Sequence, residues 1–254
     1  DNATALSIYG EINSWDVSLI TDMHSLFRQT TFNSNISDWD VSNVTTMQNM
    51  FQFSDFNGDI SNWDVSSVTT MMNMFGYSPF NGDLSSWDVS NVTSMKQMFA
   101  NASQFSTDIS SWDVSSVVDF TYMFLNSYTN PDICLADWDV SSAVNMSGML
   151  GSASPCDLSG WDVSNVTNFM FTFNSNWSSE EDRCAIHTAF SSNDAWFNAI
   201  DIGWQADWSS FCSDPIFQPQ TKDELQTAVD MWIDDNATAL SIYGEINSWD
   251  VSLI

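Results

Sequence analysis

Residues 56–75 read FNGDISNWDVSSVTTMMNMF, and residues 80–99 read FNGDLSSWDVSNVTSMKQMF. The same pattern runs outward in both directions. Trp15, Trp39, Trp63, Trp87, Trp112, Trp138 and Trp161 each precede Asp-Val-Ser, at spacings of 24, 24, 24, 25, 26 and 23 residues. Periods of this size mark solenoids, because one such unit cannot bury its apolar side alone and must stack on copies of itself. Counting from each Trp, apolar residues stand three before it (Ile36, Ile60, Leu84, Ile109), two after (Val41, Val65, Val89, Val114) and five after (Val44, Val68, Val92, Val117). Others stand at eight (Met47, Met71, Met95, Phe120), eleven (Met50, Met74, Met98, Met123) and twelve (Phe51, Phe75, Phe99, Phe124). The early positions alternate as in a short strand, and the later ones step by three and four as in one or two helical turns. Each repeat is therefore expected to be a strand, a corner and a short helix.

Small residues fit that scheme. The Ser of each Trp-Asp-Val-Ser, as at Ser42, Ser66 and Ser90, is placed to cap the helix, and Asn-Gly in Phe56–Asp59 and Phe80–Asp83 supplies the return turn. Seven coils at about 4.8 Å per strand would extend roughly 30 to 35 Å.

The pattern Phe-Asn-x-Asp-Ile-Ser-x-Trp-Asp-Val-Ser-x-Val-Thr-x-Met-x-x-Met-Phe resembles the BspA-like leucine-rich-repeat surface proteins. Among them are the Trp-Asp-Val-Ser repeats of mycoplasma surface lipoproteins and of large secreted proteins of diatoms and related algae. The resemblance covers residues 8–173. It implies an α/β solenoid of leucine-rich-repeat-like coils with helical caps, on a cell surface or in an extracellular matrix, without catalysis. The chain departs from the pattern at 142–150, where Ala143 and Gly148 intrude, and at Thr172, where Met is expected.

A second repeat is longer. Residues 1–20, DNATALSIYGEINSWDVSLI, recur letter for letter at 235–254, a period of 234. The expectation is a window on a longer tandem array. Between solenoid and copy, the short period stops at residue 173. Ser178-Ser-Glu-Glu181 reads as a capping box opening a helix over 179–190, and Thr221-Lys-Asp-Glu224 as one opening Lys222–Asp234. Leu225, Ala228, Val229, Trp232 and Ile233 share one face of the second helix. The chain is thus read as a solenoid (1–173), a C-terminal cap (174–212), a short Pro-containing linker (213–220), the N-terminal cap helix of the next module (221–234) and that module's start (235–254).

Four Lys and Arg against 33 Asp and Glu give a net charge of −29 and a pI near 4.1. Such a field repels phosphate backbones and anionic lipid, which excludes a nucleic-acid partner. No stretch reaches the roughly 18 to 20 apolar residues of a membrane span, nor does residue 1 open a signal-peptide pattern, so this window is expected to be soluble.

Cys134 and Cys156 lie four and five residues before their Trp, at nearly the same place on adjacent coils, and are expected to pair. Cys184 and Cys212 would then close the cap, implying an oxidising compartment. Neither His24 nor His187 makes a zinc spacing with them. Sequons stand at Asn2, Asn35, Asn43, Asn91, Asn101, Asn145, Asn165, Asn176 and Asn236. Asn43, Asn91 and Asn165 share one coil position, which should face water, and are the leading candidates for N-linked glycans. Asn35 replaces the Asp of other coils and is expected in a turn. Occupied sequons would require a eukaryotic secretory pathway.

Asp16, Asp40, Asp64, Asp88, Asp113, Asp139 and Asp162 recur once per coil, with a partial second file at Asp59, Asp83, Asp108 and Asp157. The favoured reading is a structural ladder in which each carboxylate accepts backbone N–H bonds as in an Asx turn. Its rival is calcium bridging coils or modules, though no calcium motif fixes a site. A Thr file (Thr21, Thr45, Thr69, Thr93, Thr167) is broken by Val118 and Val144 and argues little for ice binding. No nucleophile elbow, phosphate loop or metal triad occurs, so the expectation is not an enzyme. The expected function is a structural extracellular repeat forming a fibre, surface hair or adhesive strand, its partners being neighbouring copies of the same module. The alternative is an adhesin or receptor-type binding module.

Overall fold

The computed structural model describes residues 2–127, 134–150, 156–173, 179–201, 203, 207–212, 219, 221–235 and 238–239. Two compact units divide the chain, Asp1–Asp207 and Trp208–Ile254. The first begins with helix α1 (Asn2–Tyr9), continues through seven stacked coils and ends in helices α2 (Glu180–Phe190) and α3 (Asp194–Asp201).

The coils pile up as the period requires. Every apolar file named above faces inward, and from the second coil on the tryptophans are 3–5% exposed. At the centre run two columns of rings. Phe27, Phe51, Phe75, Phe99 and Phe124 stack with centroids 5.6–5.8 Å apart and planes within 8° of parallel. Phe32, Phe56 and Phe80 form the second column, at 6.0 and 6.2 Å. The columns touch within each coil, at 4.2 Å for Phe51–Phe56 and for Phe75–Phe80. Each fully buried ring removes enough apolar surface to contribute about 2–3 kcal/mol.

The backbone between these positions is not the strand and helix expected. Among the described residues the coils hold no strand and no α-helix, and the first has a single 3-10 turn at Ile12–Ser14. Neighbouring coils meet in single parallel bridges, Asp22 to Thr46 to Thr70 to Ser94 to Asp119 to Asn145 to Asn168, seven residues after each Trp rather than around it. Beyond the bridge, alternate N–H groups leave the coil. Met47, Asn49, Phe51 and Phe53 donate to the carbonyls of Thr70, Met72, Met74 and Gly76 of the next coil at 2.8–3.1 Å. The N–H groups in between, of Met50, Gln52 and Ser54, close turns onto Met47, Asn49 and Phe51. An α-helix would send every N–H to the carbonyl four residues back and leave none for a neighbour.

Left-handed residues make this path. The position ten after each Trp has φ of 56–60° at Ser25, Asn49, Asn73, Gln97, Tyr122, Gly148 and Phe171. Gln29, Phe53, Tyr77, Asn101 and Asn126, fourteen after, are left-handed as well. A non-glycine residue there costs roughly 1–2 kcal/mol and cannot continue a right-handed helix; the inter-coil bonds offset it. Gly148 thus occupies a slot that suits glycine, and its missing Cβ would stand 2.2 Å from the Tyr122 ring. Thr172, at a Met position, is buried and donates its hydroxyl to the carbonyls of Met146 and Phe169.

Glycine in Phe-Asn-Gly-Asp has a different role from the turn expected of it. Neither Gly58 nor Gly82 is left-handed. Instead the ring of the Phe two residues earlier lies against it, so that a Cβ on Gly82 would meet Phe80 at 2.7 Å. Gly82→Ala is expected to destabilise by about 1–3 kcal/mol, because the ring column must shift. Gly160→Ala, with nothing within 4 Å, should be neutral or gain about 0.5 kcal/mol. Urea unfolding of both variants measures the difference.

The last coil is covered by α2 and α3. Phe169 and Phe173 pack on Phe190 and Trp196 at 5.5–6.4 Å, and the Asn193 amide donates to the carbonyls of Val163 and Val166. α2 is capped by Ser179, which accepts from the Asp182 N–H, one residue later than the expected box.

In the second unit, Thr221 caps α4 (Lys222–Asp234) and accepts from the Glu224 N–H, as its sequence predicts. Ala228 and Ala239 are buried. The linker 213–220 apart from residue 219, and the copied segment apart from 235, 238 and 239, lie outside the described residues.

Candidate functional site

The solenoid wall is a set of one-per-coil ladders, and the chemistry of each decides what the surface can do. The Asp ladder is built from Asx turns. Asp40 Oδ1 accepts both the N–H and the hydroxyl of Ser42, at 3.1 and 2.6 Å. The same pair of bonds recurs at Asp16, Asp64, Asp88 and Asp113, and Asp139 and Asp162 accept the N–H of Ser141 and Ser164. The serines therefore donate to the carboxylates and do not cap a helix. The second file repeats the device: Asp59, Asp83, Asp108 and Asp157 accept from Ser61, Ser85, Ser110 and Ser159. Asn35 takes the equivalent place in the second coil, exposed, accepting the Ser37 N–H.

These bonds set the acidity of the surface. The Ser hydroxyl first and the Ser amide second hold Asp16, Asp40, Asp88 and Asp139 below the ordinary value of 3.8. For Asp59, Asp83, Asp108 and Asp162 the amide leads. A carboxyl group whose folded value is depressed stabilises the fold above its unfolded value, and loses that contribution as pH falls through the folded one. The melting midpoint is therefore expected to stay level from pH 7 to about 5 and to drop below about pH 4. Asn in place of these aspartates keeps the acceptor, as Asn35 does, and should flatten the drop; thermal melts across pH test both.

Among the described residues, no group of three or more His, Cys, Asp or Glu converges as a metal would require.

The Asn file ties coils together. Asn43, Asn91 and Asn165 are exposed, and their Nδ2 donate to the Ser18, Ser66 and Ser141 carbonyls of the preceding coil at 2.8–2.9 Å. A glycan would attach to that same nitrogen and leave it one hydrogen for the bond. Asn101 and Asn145 are half-buried, with Oδ1 atoms accepting from Asn126 and Ser147. Asn176, Asn236 and the side chain of Asn2 lie outside the described residues. The Thr file bonds likewise, Thr45, Thr69 and Thr93 each donating to the Thr carbonyl one coil back at 3.1 Å.

Two inter-coil devices escaped sequence reasoning. Each indole from Trp39 to Trp161 donates its N–H to the backbone carbonyl three residues before the preceding Trp, as in Trp63 to Ile36, Trp87 to Ile60 and Trp112 to Leu84, at 3.0–3.1 Å. That explains Trp rather than Phe at this position, since only the indole has a donor at its rim. Asn33, Asn57 and Asn81 accept the N–H of Asn57, Asn81 and Ser106. The signal was present as Asn at a constant offset, but it read as a turn.

Cys134 and Cys156 form a disulfide with Cα atoms 5.7 Å apart. Cys184 and Cys212 are disulfide-bonded as well, and no cysteine is free. Two disulfides point to a non-cytoplasmic protein. No helix among the described residues is long and apolar enough to cross a membrane.

The two ends of the stack differ. α2 and α3 cover the last coil, whereas Trp15 in the first is 38% exposed.

Residues 1–79, 54–156 and 76–188 each match a family described as Mycoplasma protein of unknown function, DUF285. No curated protein and no solved structure matches the chain.

Proposed function

We propose, from the premise that the chain belongs to the DUF285 family, that it is a structural extracellular protein whose 234-residue modules follow one another in a tandem array and form a fibre, surface hair or adhesive strand. The observation that carries this reading is the exact recurrence of residues 1–20 at 235–254. The wall supports it. The Asp, Asn and Thr files described above are engaged in turns and inter-coil bonds, an arrangement suited to mechanical continuity. Stacked rings and disulfides serve the same end outside the cytoplasm, and the resemblance to BspA-like surface repeats agrees with it.

Negative-stain imaging of native material tests the proposal. Long filaments of uniform width are expected. Discrete particles that retain a defined protein or glycan ligand would overturn it in favour of an adhesin. A chelator that lowers the melting midpoint would add calcium to the assembly.

A further inference from the structure

The first coil is an unfinished edge. In later coils the position five after Trp is buried, with Val44, Val68, Val92 and Val117 at 0%, yet Ile20 is 43% exposed there. The Trp15 indole, with no earlier coil to bond, donates to the Tyr9 carbonyl at the end of α1. The carbonyls of Thr46, Gln48, Met50 and Gln52 accept N–H groups from the coil before; among the described residues, the matching carbonyls of Asp22, His24, Leu26 and Arg28 accept none. Around Trp15 lie two open clefts, one of about 540 Å³ bordered by Leu6 and Ile12 and one of about 630 Å³ bordered by Tyr9 and Ile20. Tyr9 and Leu19 are 66% and 89% exposed beside them.

A second solenoid cannot finish this edge by stacking on it. Two such ends face to face would oppose the four carbonyls of Asp22, His24, Leu26 and Arg28 to the same four of the copy, and the one N–H that coils direct backward, that of Thr45, Thr69 and Thr93 and so of Thr21 here, is too few to pair them. The opposite end of a copy is occupied by α2 and α3. A helix suits the apolar side, because its own N–H and C=O groups are already paired and it brings only side chains. α4 has the required character. It is 13 residues long, about 20 Å, and its stripe is incompletely covered, with Leu225, Val229 and Trp232 half-buried and Ile233 74% exposed. After α4 the chain passes without a spacer into the copy of residues 1–20. Any array built on this period sets the same helix directly ahead of the first coil.

We infer that a helix of the sequence 221–234 from the preceding module seats its Leu225, Val229, Trp232 and Ile233 stripe over Trp15, Tyr9 and Ile20, closing the open end of the solenoid and joining module to module. The carbonyl row beyond it, on exposed residues, stays in water. This deepens the array reading and rests on it for the preceding copy.

The test compares the full chain with the same chain carrying a second copy of 221–234 fused directly ahead of Asp1, leaving the original α4 untouched. Amide exchange over residues 12–30 is expected to slow about tenfold on extension, and a 19F-labelled Trp15, assigned with Trp15→Phe, to shift toward a buried environment. Trp232→Ser and Ile233→Ser in the added copy alone should abolish both effects. Equal exchange with and without the extension, or an effect that survives those substitutions, overturns the inference. Filament imaging remains a separate measure of the array, so either idea can fail while the other stands.

Discussion

Phe75→Ala is expected to cost about 3–5 kcal/mol of stability, the range for emptying a fully buried aromatic site. Phe75 is 0% exposed and sits mid-column, 5.7 Å from Phe51, 5.8 Å from Phe99, 4.2 Å from Phe80 and 6.3 Å from Trp87. Neighbouring rings cannot close the gap, because each is held by its own coil's bonds to the next. In a solenoid, stability is the sum of units and nearest-neighbour interfaces, so a broken interior interface uncouples the coils on either side. Urea unfolding followed by amide exchange should then show the coils before and after Phe75 losing protection in separate steps. Phe53→Ala is the control. That ring stacks on Tyr77 at 4.4 Å but is 43% exposed, and its loss should cost about 1 kcal/mol. Equal losses in the two variants would refute the column as the main source of cohesion.

Trp87→Ala is the second large effect, again about 3–5 kcal/mol, and Trp87→Phe divides it. Phe fills most of the site but cannot donate to Ile60, whose carbonyl accepts both the Trp63 N–H and the Trp87 indole, each at 3.1 Å. That carbonyl keeps one bond in the variant, so the cost should be about 1–2 kcal/mol, the net value of one hydrogen bond plus a small volume loss. Trp15→Phe, at the open end, should cost less than half as much. Calorimetric midpoints of the three variants check the order.

These effects separate what residue spacing revealed from what it concealed. The positions that face inward were legible, since apolar side chains recurring every 24 residues at several offsets can be buried only by stacking: Met47, Met50, Phe51 and their counterparts from the second coil on are buried, while in the first coil Leu26 is 49% exposed. The Asx ladder was legible too, because Asp followed two residues later by Ser is a local device, as was the cap of α4 at Thr221. Cys134 and Cys156 were placed by coil position. The route between inward positions was not legible. Steps of three and four follow equally from a helix and from successive turns, and the deciding bonds join residues about 24 apart. Left-handed sites carry Ser, Asn, Gln, Tyr, Phe or Gly, with no common chemistry to announce them. The indole donors, the Asn33–Asn57–Asn81 ladder and the ring lying on Gly82 were invisible for the same reason: each partner belongs to another coil or to the packing of the column.

By itself the sequence determined the period, the inward faces, the local turns at each Asp and the recurrence of one module's opening residues, because these depend on side-chain type and offset along the chain. Only the tertiary structure decided that the coils contain turns and single bridges in place of strand and helix, which end is covered, and what each Trp holds. Those outcomes depend on where backbone N–H groups find acceptors, and in a stacked coil the acceptor lies in a neighbour, a full turn away along the chain.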